Sequence, residues 1–261
     1  VGPKPPRPPR PRHNARHPQW MQQRDVRLAQ HEAEAKRLGL EWRVMAACIF
    51  ERGQVVTSDP EPWEVEYLNL RERIVNHRRD EFLAHLGGPT EGSPVFPGPR
   101  PSLETIATTL PFTPAPRETP ADASDDRRSL QRRLKEPLFL LVQRHRREHA
   151  WQFPQGRLLE GETLKQAGER VLQRAVGGPR GIDGWFMGNG PTSWNFYAYP
   201  EEVRDKRKQY GAKVFFMRGQ FVGGVPRLQE KLYKDHVWIT QSEVAEYVDE
   251  DFAFYIQHSL I

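Results

Sequence analysis

Trp151-Gln-Phe-Pro-Gln-Gly156-Arg-Leu-Leu-Glu160-Gly161-Glu162-Thr163 and the run that follows it, Leu164-Lys-Gln-Ala-Gly-Glu-Arg170-Val171-Leu172-Gln173-Arg174-Ala175-Val176-Gly177, decide the fold. The pattern predicts a strand ending at Pro154, a glycine-punctuated loop, and one helix. Apolar residues recur at Leu164, Ala167, Val171, Leu172 and Ala175 with helical spacing. Thr163 suits the N-cap, and Gly177-Gly178-Pro179 supplies residues that end a helix.

This spacing resembles the Nudix box, G-x5-E-x7-R-E-U-x-E-E-x-G-U, where U is a bulky aliphatic residue. Gly156, Glu162, Arg170, Leu172 and Gly177 fall on it in register, with Trp151 and Pro154-Gln155-Gly156 as the lead-in. The resemblance implies that three helix glutamates hold divalent cations against a substrate diphosphate. Those positions are Val171, Arg174 and Ala175 here.

The loss has a physical meaning of its own. Residues at i, i+3 and i+4 share one helix face, so carboxylates there would converge on one hard cation. Valine and alanine offer no oxygen. Arg174 is worse than neutral: at ~4 Å and an effective dielectric near 20, its charge opposes a dication by about 8 kcal/mol. Glu160 and Glu169 are no substitutes, since Glu169 lies one residue off the ligand face and is followed three and four positions on by Leu172 and Gln173. A lone Glu162 reads as a loop or helix-start anchor. No catalytic residue, metal or cofactor is expected.

The 24 prolines in 261 residues argue for one domain with extensions rather than two full cores. Lys and Arg (39) outnumber Asp and Glu (34), which favours an anionic partner. The single Cys48, inside Val44-Met-Ala-Ala-Cys-Ile-Phe50, cannot form an internal disulfide and reads as a small buried hydrophobe, as suits a reducing compartment. No apolar run approaches the ~20 residues needed to span a bilayer. A start at Val1 fits either a removed upstream targeting segment or a trimmed piece.

Four segments are expected: a basic proline-rich tail over 1–18, a helix-and-strand extension over 19–86, a proline-rich linker over 87–124, and the main domain over 125–261. In the tail, Lys4, Arg7, Arg10, Arg12 and Arg16 punctuate prolines and can reach phosphates. The extension predicts a helix over 19–40, a strand over 42–50 and a helix over 62–86. Trp63, Tyr67, Leu70, Ile74 and Phe82 form that second helix's stripe. Its Arg71, Arg73, Arg78 and Arg79 fall elsewhere, facing either RNA or water.

Within the main domain the sequence predicts a short basic helix over 125–134 and a strand over 137–143. A cationic turn, Arg144-His-Arg-Arg147, follows. Aromatic strands over 184–188 and 193–199 are joined by Asn189-Gly190-Pro191, which has hairpin chemistry. Their Trp and Tyr residues read as sheet core rather than stacking platforms. A charged loop, Arg204-Asp-Lys-Arg-Lys208, leads to a strand from Gly211 towards Val222, and a last strand covers 236–239. Thr240 or Ser242 caps a helix through Val248, with Glu243 completing a capping box, and a closing helix covers 251–260. The fold class is therefore α/β, a Nudix-like α/β/α sandwich with a mixed sheet, plus an extended N-terminal tail and the linker.

A narrower resemblance rests on Trp151-Gln-Phe-Pro-Gln, Gly161-Glu-Thr-Leu, Gly211-Ala-Lys-Val-Phe-Phe, and His236-Val-Trp-Ile-Thr with Glu243 and Tyr247. Arg43-Val-Met-Ala-Ala-Cys-Ile-Phe-Glu-Arg52 and Trp63-Glu-Val-Glu-Tyr67 add to it. Together these segments resemble the mitochondrial large-subunit ribosomal protein family numbered forty-six. That resemblance implies a Nudix-like fold without catalytic glutamates, placed in the mitochondrial matrix on the large ribosomal subunit near its central protuberance. The expected partners are large-subunit rRNA and neighbouring ribosomal proteins, with neither a membrane span nor a homo-oligomer.

Candidate phosphate contacts besides the tail are Arg128, Arg132, Arg133, Arg144, Arg146, Arg147, Arg204, Lys206, Arg207 and Lys208. Two other classes stay open: a Nudix-type nucleoside diphosphate hydrolase with unusual ligands, and a non-catalytic nucleotide-binding module.

Overall fold

A computed structural model describes residues 19–85, 116–177 and 181–260. The tail over 1–18, with Lys4, Arg7, Arg10, Arg12 and Arg16, lies outside them, as do residues 86–115 of the linker region.

The sheet is assembled on β1 (Glu41–Arg52), the strand of the N-terminal extension. One edge of β1 runs parallel to β7 (Gln209–Gly224); the other pairs antiparallel with β2 (Leu138–Arg144) and β4 (Gln155–Arg157). β2 also pairs antiparallel with β3 (Trp151–Gln152) and with β8 (Tyr233–Ile239). The result is an eight-stranded mixed sheet. Alternation along β1 sorts its apolar side chains: Ala47 and Ile49 enter one core cluster, Cys48 and Phe50 the other.

Each face is covered by a different helix. A 3-10 turn (Ser242–Glu246) and a helix over Glu250–Gln257 contribute Val244, Ala253 and Ile256 to the first cluster. The box helix (Leu164–Val176) contributes Leu172, Ala175 and Val176 to the second. This is the expected α/β/α layering. Cys48 is fully buried, and burial alone pushes its thiol well above the ordinary range.

Four local expectations are corrected. Residues 125–134 form turns, not a helix. Asp125 and Arg133 have φ of 45° and 47°, and side chains take amide hydrogens that a helix would use. Asp126 accepts from the Arg128 amide at 3.0 Å, and Asp122 accepts from that of Arg133 at 2.7 Å.

β5 (Ile182–Phe186) and β6 (Ser193–Ala198) do not pair with each other as a hairpin; both lie end to end along β7, which is 16 residues long. The amides of Met187 and Thr192, donating to Arg218 and Phe216, carry the ladder across the intervening loop. The expected charged loop is a short helix, Glu201–Arg207, with Glu201 and Glu202 in its first turn and Arg204, Lys206 and Arg207 in its last. That order of charge suits the helix dipole. The segment after Thr240 is 3-10 rather than α-helical, although Glu243 accepts from the Thr240 amide at 2.8 Å as a capping residue does.

The two helices of the extension differ in how they are held. α1 (Gln19–Leu38) docks on the sheet by polar contacts. His31 Nδ1 meets the Tyr210 hydroxyl at 2.7 Å, that hydroxyl donates to Glu34 at 2.6 Å, and Lys213 pairs with Glu32 at 2.6 Å. Among the described side chains, α2 (Pro62–His85) contributes none to either core cluster. Its stripe residues Trp63, Tyr67, Leu70 and Ile74 are exposed. Within the described residues nothing buries these four.

Candidate functional site

The box is held as a unit by two reciprocal pairs. The Thr163 hydroxyl accepts from the Gln166 amide at 3.2 Å, while the Gln166 side chain accepts from the Thr163 amide at 2.9 Å. At the far end Gly177 sits at φ 105° and its amide donates to the carbonyl of Gln173. A Cβ there would lie 2.6 Å from the carbonyl oxygen of Arg227, so glycine is required for space as well as for conformation.

The second pair is Glu162 with Arg170. Arg170 donates through Nε to Glu162 Oε1 at 2.6 Å and through Nη2 to Oε2 at 2.7 Å, and Nη2 also reaches the Arg157 carbonyl at 2.8 Å. Glu162 accepts in addition from the Leu159 amide at 3.1 Å. The hydrogen bond from Arg170 holds the Glu162 carboxyl below its ordinary range, and the same bond raises the guanidinium. Glu162 is thus the clasp of the loop. Because the pair is partly exposed, Glu162→Gln is expected to cost only about 1 kcal/mol, a fall of about 2–4 °C in a melting scan. A loss several times larger would show that the carboxylate does more than close the loop.

The three positions where the box pattern carries metal ligands do not form an open carboxylate face. Val171 is buried, and a Cβ added to Gly156 would lie 2.7 Å from Val171 Cγ2, so glycine and valine fill one another's space. Ala175 is fully buried in the second core cluster. Arg174 is exposed on the helix's last turn. Among the described residues no group of three His, Cys, Asp or Glu side chains is placed to hold a metal ion.

Two predicted phosphate contacts are corrected by where their side chains go. Arg132 is fully buried; it donates to Glu243 at 2.7 and 2.6 Å, to Asp125 at 3.1 Å and to the Trp238 carbonyl at 3.1 Å. Arg204 donates to the Tyr199 carbonyl at 2.7 Å and to Glu34 at 3.2 Å, with its guanidinium 4.2 Å from the Tyr210 ring centroid. Both arginines hold the fold together.

The remaining cations are at the surface. Arg128 is exposed and pairs with Asp235 at 2.7 Å, and Arg133 with Glu136 at 3.6 Å. Arg144 lies against the Tyr233 ring, 5.8 Å from its centroid. Arg146 donates to the Gln152 side chain at 3.1 Å, and Arg147, Lys206 and Lys208 are exposed. The Arg207 guanidinium lies 5.0 Å from the Tyr199 ring centroid.

Arg146 and Arg207, far apart in sequence, both act on Tyr197. Tyr197 is 42% exposed on β6, edge-on to Tyr199 at 5.7 Å, and feels the charge of both Arg146 and Arg207. Desolvation and then the charge of Arg144 pull the Arg146 guanidinium below its ordinary range. An incoming anion would relieve that repulsion. Beneath the patch, the buried Gln152 Nε2 and Arg144 Nε have no hydrogen-bond partner. The expectation that all the β5 and β6 aromatics serve as core fails at Tyr197 and at Trp185, which is also exposed.

A hub that the residue pattern did not single out lies beneath the turns of 125–135. Arg52, at the end of β1, donates to the carbonyls of Gly53, Arg132, Arg133 and Glu136. Burial, then the neighbouring charge of Arg132, lowers its pKa to about 10. Arg127 reaches Glu246 at 2.6 Å and the Tyr247 hydroxyl at 2.8 Å, and the Tyr247 ring stands edge-on to Trp151 at 5.1 Å. The available signal was a pair of charges, Glu51-Arg52, closing an apolar strand.

A strand–loop–helix unit seated on a mixed α/β sheet, with Val171, Arg174 and Ala175 on its helix where the resembled box pattern has glutamates, defines the class of this domain. No family model matches the chain. It is 32% identical over 155 residues to the large ribosomal subunit protein mL46 of Bos taurus, covering 58% of this chain and 54% of that protein. With mL46 of Rattus norvegicus it shares 31% over 153 residues, covering 58% and 54%, and with mL46 of Neurospora crassa 28% over 146 residues, covering 53% and 39%.

Over the matched residues the chain is similar to mL46. It spans about half the length of the curated mammalian relatives it matches. Similar solved structures include a C. elegans Ap4A hydrolase complex, at 15% identity and TM-score 0.38, covering 48% of this chain and 84% of that one. A Nudix hydrolase from Nitrosomonas europaea is 19% identical at TM-score 0.34, covering 47% and 78%. Likenesses at this level bring no chemistry to this chain.

Proposed function

We propose that this protein is a structural constituent of the mitochondrial large ribosomal subunit, acting in the matrix by binding rRNA and neighbouring ribosomal proteins near the central protuberance. The observation that carries this reading is its sequence similarity to mL46 over 58% of the chain. Hydrolysis is no part of it: Val171 and Ala175 fill the space that catalytic carboxylates would need, and Glu162 is committed to Arg170. In this reading the main domain over 125–261 is completed by β1, with residues 1–18 and the linker over 87–124 as its extensions; residues 116–124 pack on the domain through Thr119 and Asp122.

The RNA-facing surface in this reading is centred on Tyr197 with Arg146 and Arg207, together with their exposed sequence neighbours Arg147, Lys206 and Lys208. It combines cations for phosphates with an exposed ring on which a base can stack. Lys4, Arg7, Arg10, Arg12 and Arg16 add a sequence-tolerant phosphate-binding arm.

The test is binding to a large-subunit rRNA fragment across a salt series. Changing Arg146, Lys206 and Arg207 together to Ala is expected to lower the slope of log affinity against log salt by about 2–3. Tyr197→Ala should weaken binding by about 1–3 kcal/mol with the slope unchanged. An unaltered slope in the triple variant would overturn this assignment of the RNA face.

A further inference from the structure

α2 carries an apolar surface that the rest of the described chain leaves in water. Trp63, Tyr67, Leu70 and Ile74, spaced four, three and four residues apart, make one stripe, and Leu68 and Val75 lie on the helix's other side. All six are exposed, Trp63 at 66%. An exposed apolar surface this continuous marks a contact site, and the spacing is that of a helix laid into a groove.

Charge along the helix narrows the occupant. Glu61, Glu64 and Glu66 surround the Trp63 and Tyr67 end, where no cation lies between Ser58 and Leu70. Arg71, Arg73 and Arg78 follow at the Ile74 end. A nucleic acid, anionic along its whole length, would be repelled by the first turns. A second α2 could cover one stripe and would leave the other side in water.

We propose that α2 docks into an apolar groove of a different protein chain, one that encloses the helix on both sides. The groove carries Lys or Arg where Trp63 and Tyr67 enter and Asp or Glu beside Arg71 and Arg73. The inference goes beyond the RNA-facing patch and does not require that the partner be ribosomal.

The test replaces Tyr67 in the full chain with the photocrosslinker p-benzoylphenylalanine, irradiates intact mitochondria, and sequences the crosslinked product. A single protein is expected, joined through a peptide in which apolar residues alternate with Lys or Arg. The yield should fall at least tenfold with Glu64→Lys/Glu66→Lys and with Leu70→Asp/Ile74→Asp. Leu70 and Ile74 are exposed, so their double variant should keep the parent's melting temperature; Glu64 is half-buried and accepts from the Glu61 amide at 2.9 Å, so the Glu64→Lys/Glu66→Lys yield is read only after that variant is shown to stay folded. A crosslink to RNA, to a second copy, or to residues 86–115 of the same chain would overturn the proposal. So would a protein crosslink insensitive to both double variants, or no crosslink. Sedimentation of the same sample separates this result from the ribosomal reading: a crosslinked protein found only outside the large subunit would support the docking surface and count against the ribosome.

Discussion

Ala175→Glu is expected to remove at least about 3–5 kcal/mol of stability, and Val171→Glu/Ala175→Glu to abolish cooperative folding. These are the changes that would rewrite two of the missing box carboxylates, and in an open metal site they would be benign. Here Ala175 is fully buried in a cluster with Cys48, Phe50, Leu172 and Trp238. A carboxylate there loses its hydration and finds no cation. A longer side chain at Val171 meets the space held by Gly156, and Arg174 beside it opposes any dication. Urea titrations with and without excess magnesium check this. A variant that stays as stable as the parent, or regains its stability on adding magnesium, would mean that the box still has room for a metal.

Breaking the hub at Arg132 comes next in size. Arg132→Met is expected to cost about 3–5 kcal/mol, because Glu243 would remain with its strongest partner gone. Arg132 and Glu243 have side chains 1% and 12% exposed, so solvent cannot compensate. Glu243 works against a desolvation that would raise its pKa. Hydrogen bonds from Arg132 and from the Thr240 amide overcome that burial and lower the carboxyl to about 2. The sign follows from this depression. The stabilisation is fully present above the ordinary glutamate value near 4.5 and is lost as pH falls towards about 2. Glu243→Gln should therefore flatten the fall of melting temperature between those limits, while lowering stability at neutral pH. Pairing Arg132→Met with Glu243→Leu should recover much of the loss, since no buried charge is then left alone. A double variant as unstable as the sum of its parts would argue against the pair as the source of the effect.

Much of the fold was legible where one local pattern sufficed. The box helix, its Thr163 cap and its Gly177 stop all follow from spacing and from residues with a single conformational use. The apolar runs at β1, β2, β7 and β8 announce buried strands for the same reason. What could not be read was partnership at a distance. Asn189-Gly190-Pro191 has the chemistry of a hairpin turn, yet β7 is long enough to take β5 and β6 in succession, and a strand's length limits its neighbours only in three dimensions. Residues 125–134 have helical composition, but Asp122 and Asp126 take backbone amides first.

The candidate site divides along the same line. The identities at positions 171, 174 and 175 are plain in the sequence. That Val171 closes on Gly156, and that Ala175 is core, needed the packing. Among the cations, sequence offers only charge and neighbourhood. Arg132 and Arg204 look like Arg128 and Arg207 on the page, and only their distant partners, Glu243 and Glu34, draw them inward. The meeting of Arg146 with Arg207 at Tyr197 depends on β6 lying along β7 and could not be inferred from any one segment.

Sedimentation of a gently lysed mitochondrial extract tests most directly the proposal that this chain is an integral part of a large ribosomal subunit. Followed across a gradient at low and at moderately high salt, the chain should travel with the large subunit and stay there after the salt wash. A chain that remains at the top of the gradient as a free protein of 30.3 kDa would contradict the claim.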